Sequence, residues 1–286
     1  MRIVSYAALA ALLALSACKK KEEAPAPGAA AAPAATAPAA PAAAKEIKVA
    51  AAADLTFAFD ELGKAFEAKN GTKVTFSYGA SGQLAKQLAE GAPFDLFAAA
   101  NQSFVDDAVK SGSCDGATKA LYAQGHLVLW AKTGGAVATT TTLKDLADKK
   151  FVKIAIANPE HAPYGKAAKE ALEAAGVWAA VEPKIVYGEN IKQTMQFAES
   201  GNAEVSIIAL SLALGAKDGV YAPIDPSLHK PLEQALVVCS KGANAEGGKA
   251  FAAYVMSPEG RALMNKYGFV LPGEGGAAAP AAKPAQ

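Results

Sequence analysis

Short apolar runs alternate with segments of helical periodicity in the first half of residues 45–272. Apolar runs rich in β-branched or aromatic residues predict strands at 47–52, 73–78 and 95–99. Apolar side chains at helical spacing predict helices from Phe57 to Gly71, over 83–90 and over 102–111. This strand-helix alternation predicts the α/β fold class, with a parallel sheet covered by helices.

A second series of strands and helices begins near residue 127. Its predicted strands lie at 127–131, 153–157, 184–187, 205–210 and 236–239, and its predicted helices at 143–148, 165–175, 191–199 and 250–266. We therefore predict two αβ lobes, lobe 1 at about 45–128 plus 220–272 and lobe 2 at about 129–219. The chain is expected to cross between them near 126–132 and again near 210–235.

The first 18 residues have the pattern of a bacterial lipoprotein signal. One Arg precedes an apolar stretch from Tyr6 to Leu15, which is too short for a permanent membrane-spanning helix. The following Leu-Ser-Ala-Cys resembles the lipobox, in which cleavage precedes an acylated cysteine. We expect a signal peptide at 1–17 and a lipid anchor on Cys18, at the periplasmic or cell-surface face of a membrane.

Two segments rich in small residues flank the predicted fold. Residues 24–44 contain fourteen Ala and five Pro, so that 18–44 is predicted to be a semi-extended tether behind the lipid. Residues 273–286 are also rich in Gly, Ala and Pro and are predicted to be disordered. The hydrophobic fraction of 52% therefore does not indicate a membrane-spanning domain.

Charge and motif content exclude several functional classes. The chain carries 28 Lys and Arg against 27 Asp and Glu, which argues against a nucleic-acid-binding surface. The three histidines have no acidic or cysteine neighbours at metal-ligand spacing, and no nucleophile elbow, phosphate loop or dinucleotide fingerprint is present. The sequence thus gives no support for an enzyme and implies no cofactor. Cys114 and Cys239 are either buried thiols or a disulfide.

Turns between strands and helices offer a different kind of site. They lie at 53–54, 79–82, 158–164 and 188–191, and each precedes a predicted helix. Ligands of open parallel sheets bind beyond the carboxyl ends of the strands. Helix N-termini offer unpaired N–H groups and partial positive charge, so several of them can bind an anion without Lys or Arg. Ordinary capping turns are the alternative interpretation.

Three segments resemble one known family. They are Gly79-Ala80-Ser81-Gly82-Gln83-Leu84-Ala85-Lys86-Gln87 with the following 90–100, Asn158-Pro159-Glu160-His161-Ala162-Pro163-Tyr164-Gly165, and Tyr267-Gly268-Phe269-Val270-Leu271-Pro272. With them, residues 45–272 resemble periplasmic molybdate-binding proteins of ABC importers. The resemblance implies a type II periplasmic-binding-protein fold with two crossover segments. It also implies a monomer that binds molybdate, with tungstate as a related ligand, and delivers it to an inner-membrane permease.

The resemblance also implies the residues that bind the oxyanion. These are Ser81 through its hydroxyl group, Tyr164 in a branch of the family with tyrosine there, Ile191 through its backbone N–H, and the turn at Ala53 and Asp54. Asp54 departs from the family, which has a Ser or Thr-Asn at this turn. An ionised carboxylate can only accept hydrogen bonds and repels a dianion.

Three explanations of Asp54 remain open. The side chain turns away and caps the following helix, or it is protonated in the complex, or the ligand is another anion or is bridged by a cation. Of these, capping is the one we expect, because Asp is a favourable N-cap residue.

Overall fold

The computed structural model describes residues 46–134 and 142–274 of the 286-residue chain. The predicted signal peptide, Cys18 and the tether lie outside the described residues, as do 275–286. Glu274, in the predicted disordered tail, accepts a hydrogen bond from Arg261 Nη2 at 3.1 Å. Glu274 thus contacts the folded part, and the disordered tail stays a prediction.

The strands and helices follow the predicted alternation, with additions. The strands are β1 (Glu46–Ala52), β2 (Lys73–Gly79), β3 (Leu96–Ala99), β4 (Ala120–Gly125), β5 (Leu127–Ala131), β6 (Ile154–Ala157), β7 (Ile185–Gly188), β8 (Val205–Ala209), β9 (Val220–Pro223) and β10 (Leu232–Val238). The α-helices are α1 (Thr56–Asn70), α2 (Ser81–Ala89), α3 (Gln102–Lys110), α4 (Pro163–Ala174), α5 (Trp178–Val181), α6 (Ile191–Glu199), α7 (Leu210–Gly215), α8 (Ala245–Met256) and α9 (Pro258–Lys266). A short 3-10 turn, Ala53–Leu55, joins β1 to α1.

Two five-stranded sheets organise these elements. The first has the strand order β2-β1-β3-β10-β4 and the second β7-β6-β8-β5-β9. We call each sheet with its helices a lobe, so the first lobe contains both ends of the described chain. The strands β3 and β6 are buried along their whole length, as expected where helices cover both faces of a sheet.

The sheets are mixed, whereas the sequence predicted parallel strands. β1 pairs in parallel with β2 and β3, and β6 pairs in parallel with β7 and β8. The strands beside the crossovers run the other way: β10 is antiparallel to β3 and β4, and β5 to β8 and β9. The α/β class is confirmed, and the antiparallel strand of each sheet, β5 or β10, is the one by which the chain enters that lobe from the other.

The crossover segments are shorter than predicted. A single residue, His126, separates β4 from β5, and residues 224–231 join β9 to β10. Backbone hydrogen bonds secure both crossings, from Leu210 N to His126 O at 2.9 Å and from Ile224 N to Leu127 O at 3.0 Å.

The strands of the second sheet lie within 127–223, next to the predicted bounds of about 129–219 for lobe 2. The prediction missed β9, a four-residue strand that pairs with β5 through Leu129 opposite Ala222. It also missed β4, which lies at the edge of the first sheet. Both are edge strands with few β-branched residues, none in β4 and one in β9.

The C-terminal helical stretch is two helices, not one. Ser257 is extended, with φ −68° and ψ 162°, and its side chain accepts a hydrogen bond from Gly260 N at the start of α9. Pro258 disfavours helical geometry in the residue before it and is well suited to the first helical position. The Ser-Pro pair thus ends α8 and begins α9.

A disulfide joins Cys114, in the loop after α3, to Cys239, at the end of β10. The two residues also form an isolated antiparallel bridge. Both lie in the first lobe, and the 125-residue separation between them contains the whole second lobe. Closing so long a loop removes much conformational freedom from the unfolded chain.

We predict that the double variant C114S/C239S has a free energy of unfolding lower by about 2–5 kcal/mol, because the cross-link no longer restricts the unfolded chain. Urea titration followed by circular dichroism measures the difference. A reductant should lower the midpoint of the wild-type protein and leave that of the variant unchanged. Equal midpoints for the oxidised and reduced wild-type protein would contradict the prediction.

Candidate functional site

A small cavity lies between the two lobes, at the carboxyl ends of strands β1, β2 and β3. The N-termini of α4 and α6 approach it from the second lobe. Its lining residues are Ala52, Ala53, Asp54, Gly79, Ala80, Ser81, Ala100, Ala162, Pro163, Tyr164 and Ile191. The structure thus brings together all five residues that the sequence analysis assigned to an oxyanion: Ala53, Asp54, Ser81, Tyr164 and Ile191.

Three helical segments begin at this cavity without a side-chain cap. Ala52, Ala80 and Ala162 occupy the N-cap positions of the 3-10 turn, α2 and α4, and none provides a side-chain hydrogen bond. Elsewhere, asparagines such as Asn101 and Asn244 cap α3 and α8. The first N–H groups of a helix have no intrahelical partner, so the alanines leave donors available to a ligand.

Close packing holds the start of α4 against strand β6. Pro163 is the first helical residue and has no N–H, so the first donors of α4 come from Tyr164 and Gly165. A Cβ atom on Gly165 would lie 2.0 Å from the carbonyl oxygen of Ala157. Only glycine permits this approach, which fixes where the helix N-terminus meets the cavity.

The hydroxyl hydrogen of Ser81 is available to a ligand. Its side chain is fully buried, and its Oγ accepts a hydrogen bond from Ala100 N at 3.0 Å. A serine hydroxyl has one hydrogen to donate and two lone pairs to accept. With one lone pair used by Ala100, the O–H remains able to donate into the cavity that Ser81 lines.

Ile191 contributes only its backbone. It is the first residue of α6, and Asn190 before it accepts hydrogen bonds from Lys192 N and Gln193 N, each at 3.0 Å. The asparagine cap therefore satisfies the two donors that follow Ile191. The N–H of Ile191 itself has no intrahelical acceptor.

The carboxyl group of Asp54 joins the lobes through hydrogen bonds at the cavity wall. Its Oδ2 accepts from Tyr164 Oη at 3.0 Å, across the cleft, and from Gln234 Nε2 at 2.6 Å within the first lobe. Gln234 Nε2 also lies 3.1 Å from Tyr164 Oη, and Gln234 Oε1 accepts from Tyr122 Oη at 2.8 Å. Asp54 is 1% exposed and Gln234 is fully buried.

This arrangement changes the expected role of Tyr164. A phenol has one hydrogen, and that of Tyr164 is donated to Asp54 Oδ2. The hydroxyl hydrogen of Tyr164 is thus engaged by the protein itself. Tyr164 instead holds Asp54 in place and offers its backbone N–H at the second position of α4.

The interpretation of Asp54 as a helix cap is wrong. No side chain caps α1, whose N-cap position is Leu55, and Thr56 Oγ1 donates to Ala53 O at 2.7 Å. Asp54 lies inside the 3-10 turn, one position too early to cap α1. Its side chain faces the two donors on Tyr164 and Gln234 instead.

Burial dominates the acid–base properties of this group. Removal from water raises the pKa of the Asp54 carboxyl to about 6, although the hydrogen bonds from Gln234 and Tyr164 lower it. Burial and the nearby Asp54 carboxyl also raise the pKa of both Tyr164 and Tyr122 well above the usual value. Both phenols therefore keep their hydrogens at neutral pH.

Sequence reasoning missed the residues that support Asp54 from a distance. Gln234 lies 180 positions away on β10, at the start of a strand that the apolar pattern placed from residue 236. Ser211, on α7, donates its hydroxyl hydrogen to the backbone oxygen of Asp54 at 2.8 Å. The available signal was the alternation at the start of β10, where Gln234 lies on the same face of the strand as Leu232 and opposite to the exposed Glu233.

Gly125 makes room for this cluster. A Cβ atom at this position would lie 2.0 Å from Tyr164 Oη and 3.0 Å from Gln234 Nε2. Gly125 ends β4, immediately before the crossover to the second lobe. The hydrogen bond between the lobes therefore depends on a glycine at the first crossing.

A second set of contacts joins the lobes at the edge of the cavity. Gly82 N donates to His161 O at 2.9 Å, and Gln83 Nε2 donates to Glu189 Oε2 at 2.8 Å. His161 Nε2 lies 3.2 Å from Gln83 Nε2 and 3.0 Å from Glu189 O. The turn after β2 thus contacts the turn before α4 and the turn before α6 of the second lobe.

The described residues contain neither a cluster of metal ligands nor a membrane-spanning helix. In 46–134 and 142–274, no three or more His, Cys, Asp or Glu side chains are grouped so as to hold a metal ion. None of the helices in these ranges has the length and apolarity needed to cross a membrane.

Comparison with known proteins agrees with this geometry. The model of the family described as bacterial extracellular solute-binding protein matches residues 47–270. The molybdate-binding protein ModA of Rhodobacter capsulatus is 37% identical over 227 residues, which cover 79% of this chain and 89% of that protein. The chain belongs to the ModA group of bacterial extracellular solute-binding proteins.

Two further relatives support the same placement. The periplasmic molybdate-binding protein of Azotobacter vinelandii superposes with a TM-score of 0.74 at 27% identity, covering 79% of this chain and 99% of that one. A putative ABC transporter substrate-binding lipoprotein of Bacillus subtilis, YvgL, is 29% identical over 78% of this chain and 85% of its own length. The predicted periplasmic-binding-protein fold is thereby confirmed.

The raised pKa of Asp54 predicts a pH effect on the ligand-free protein. An unfolded Asp ionises near pH 4 and the folded one near pH 6, so the contribution of Asp54 to stability falls as pH rises between these values and is constant above. Asp54→Asn removes this loss. We expect the variant to be more stable than the wild type at pH 8, by on the order of 2–3 kcal/mol, with a smaller difference at pH 4.5.

Urea titrations of both proteins at several pH values measure this difference. The comparison between variants removes the contributions of the other carboxyl groups. A difference in stability that does not change between pH 4.5 and pH 8 would contradict the raised pKa.

Proposed function

We propose that this chain is the substrate-binding component of an ABC importer and that it binds molybdate, with tungstate as a second ligand, in the cavity between its lobes. The proposal rests on the convergence of Ser81, Ile191 and the uncapped starts of the 3-10 turn, α2 and α4 on one small cavity. The name of the Rhodobacter relative supports the choice of ligand.

The available donors suit an oxyanion. Backbone N–H groups at helix N-termini and the Ser81 hydroxyl are neutral and fixed in direction, and no Lys, Arg or His is among the lining residues. Such donors favour a negatively charged ligand but do not distinguish one tetrahedral dianion from another. Selection against sulfate is therefore assigned to the size of the cavity.

Binding, not catalysis, is the activity proposed here. The cavity holds no nucleophile paired with a base, since the partner of the Ser81 oxygen is the backbone N–H of Ala100 and the Asp54 carboxyl is hydrogen-bonded to Tyr164 and Gln234, not to Ser81. The oxyanion is cargo and not a cofactor. We further propose that the protein acts as a monomer and that closure of the lobes on the ligand presents it to the permease.

Isothermal titration of residues 45–274 with molybdate, tungstate, sulfate and phosphate tests the proposal. We expect heat and a saturable isotherm with molybdate and tungstate, and much weaker binding of sulfate. Binding of phosphate alone would assign the site to another anion, which is the alternative that Asp54 suggests. Absence of heat and of thermal stabilisation with both metal oxyanions would refute the function.

The same titration identifies the contribution of Ser81. Ser81→Ala removes the hydroxyl donor and should weaken molybdate binding by about 1–3 kcal/mol. Ser206→Ala is the matched control, because Ser206 is also fully buried but lies in β8 outside the cavity lining. Equal affinities of the Ser81→Ala and Ser206→Ala variants would remove Ser81 from the site.

We also propose that Cys18 anchors the mature protein to a membrane by a covalent lipid. The support is the apolar segment ending in Leu-Ser-Ala-Cys, the Ala- and Pro-rich stretch behind it, and the lipoprotein description of the Bacillus relative. The full-length protein should incorporate labelled palmitate and sediment with membranes. Cys18→Ala should lose both properties, while Cys114→Ser, measured in parallel, should retain the label.

A further inference from the structure

One oxygen of the Asp54 carboxyl group has no hydrogen-bond partner. Oδ2 accepts two hydrogen bonds, but Oδ1 is buried and forms no hydrogen bond with any other described residue. Asp54 lines the cavity. A buried carboxyl oxygen left without a partner is costly, which indicates that Oδ1 is matched by something that enters the cavity.

The surrounding hydrogen bonds fix where a proton on Asp54 would lie. Tyr122 donates to Gln234 Oε1, and Gln234 Nε2 and Tyr164 Oη both donate to Asp54 Oδ2. Because Oδ2 already receives two hydrogens, a proton on the carboxyl group occupies Oδ1 with no rearrangement of the cluster. An acid O–H at Oδ1 would be one more donor at the cavity wall.

Charge points to the same arrangement. A carboxylate and an oxyanion cannot share so small a cavity without repulsion, and the lining residues carry no cation to offset it. A single proton between Oδ1 and a ligand oxygen replaces that repulsion with a hydrogen bond. The Tyr164 and Gln234 contacts also prevent the side chain from turning away.

The titratable groups that face Asp54 are the two phenols, Tyr164 on α4 and Tyr122 on β4. The strand β2 and the helix α1 also pack against the turn that contains Asp54. There, Tyr78 Oη of β2 donates a hydrogen bond to Asp60 Oδ1 of α1 at 2.8 Å. On α6, Lys192 lies over the ring of Phe57, with its Nζ 4.0 Å from the ring centre. The helix α7 carries no titratable side chain.

We propose that each oxyanion binds together with one proton, which is shared between Asp54 Oδ1 and an oxygen atom of the ligand. This inference rests on the proposed oxyanion-binding function. At pH 8 the carboxylate, the dianion and one proton from the buffer form the complex, and release returns the proton. An anion that already carries a hydrogen can supply it instead, with the same balance.

The test is isothermal titration of the wild-type protein with molybdate at pH 8 in two buffers with different ionisation enthalpies. We expect an uptake of nearly one proton per molybdate. The affinity should fall about tenfold per pH unit between pH 7 and pH 8 and level off below pH 6, where Asp54 is already protonated.

Asp54→Asn is the matched variant. Its amide oxygen can accept from Tyr164 and Gln234, and its NH2 group supplies the donor that the proton would create. We expect no proton uptake, an affinity that does not change between pH 5.5 and pH 8, and tighter binding than the wild type at pH 8. Circular dichroism verifies that the variant is folded.

The other candidate for holding the proton is a ring nitrogen at the cavity edge, His161 Nε2, which lies 3.0 Å from Glu189 O. His161→Gln should keep the proton uptake at pH 8, whatever its affinity. Loss of the uptake in this variant would assign the proton to the histidine and overturn the proposal.

The outcomes separate this inference from the function. If the wild-type protein binds molybdate with no proton uptake and no pH dependence, the shared proton is refuted and the binding function stands. If no oxyanion binds at any pH, the proposed function itself fails.

Discussion

The carboxyl group of Asp54 is buried at the junction of the two lobes, and the hydroxyl group of Tyr164 reaches it from the opposite side. The hydrogen bond sets the separation of the 3-10 turn after β1 and the N-terminus of α4, and therefore the width of the cavity between them. Two residues of the first lobe support this hydrogen bond. Gln234 donates a second hydrogen bond to the Asp54 carboxyl, and Gly125 leaves room for the Tyr164 hydroxyl group.

The cavity also has a cost in local stability. Ala52, Ala80 and Ala162 stand where Ser, Thr, Asn or Asp would stabilise the start of a helical segment by about 0.5–2 kcal/mol. Asn190 shows how a capped helix can still provide a donor. Its side chain caps α6 but leaves the N–H of Ile191 without an acceptor in the helix. The helical segments that offer several donors to the cavity thus lack a side-chain cap, whereas α6, which offers only one, has a cap.

Much of the fold could be predicted from the sequence because its central strands are apolar runs and its helices have regular spacing. The missed strands β4 and β9 lie at sheet edges, and β9 has only four residues. The same limit applies at the site. The turns that hold Ser81, Tyr164 and Ile191 were local features, whereas Gln234 is brought to Asp54 only by the return of the chain through β10.

The position of the disulfide has a consequence for cleavage of the chain by a protease. The bridge between Cys114 and Cys239 lies in the first lobe, and the second lobe is inserted between the two cysteines. A single cut anywhere in that lobe therefore leaves two fragments that stay covalently joined. Such a nicked molecule remains one particle until a reductant separates it, and it keeps both halves of the cavity within reach of each other.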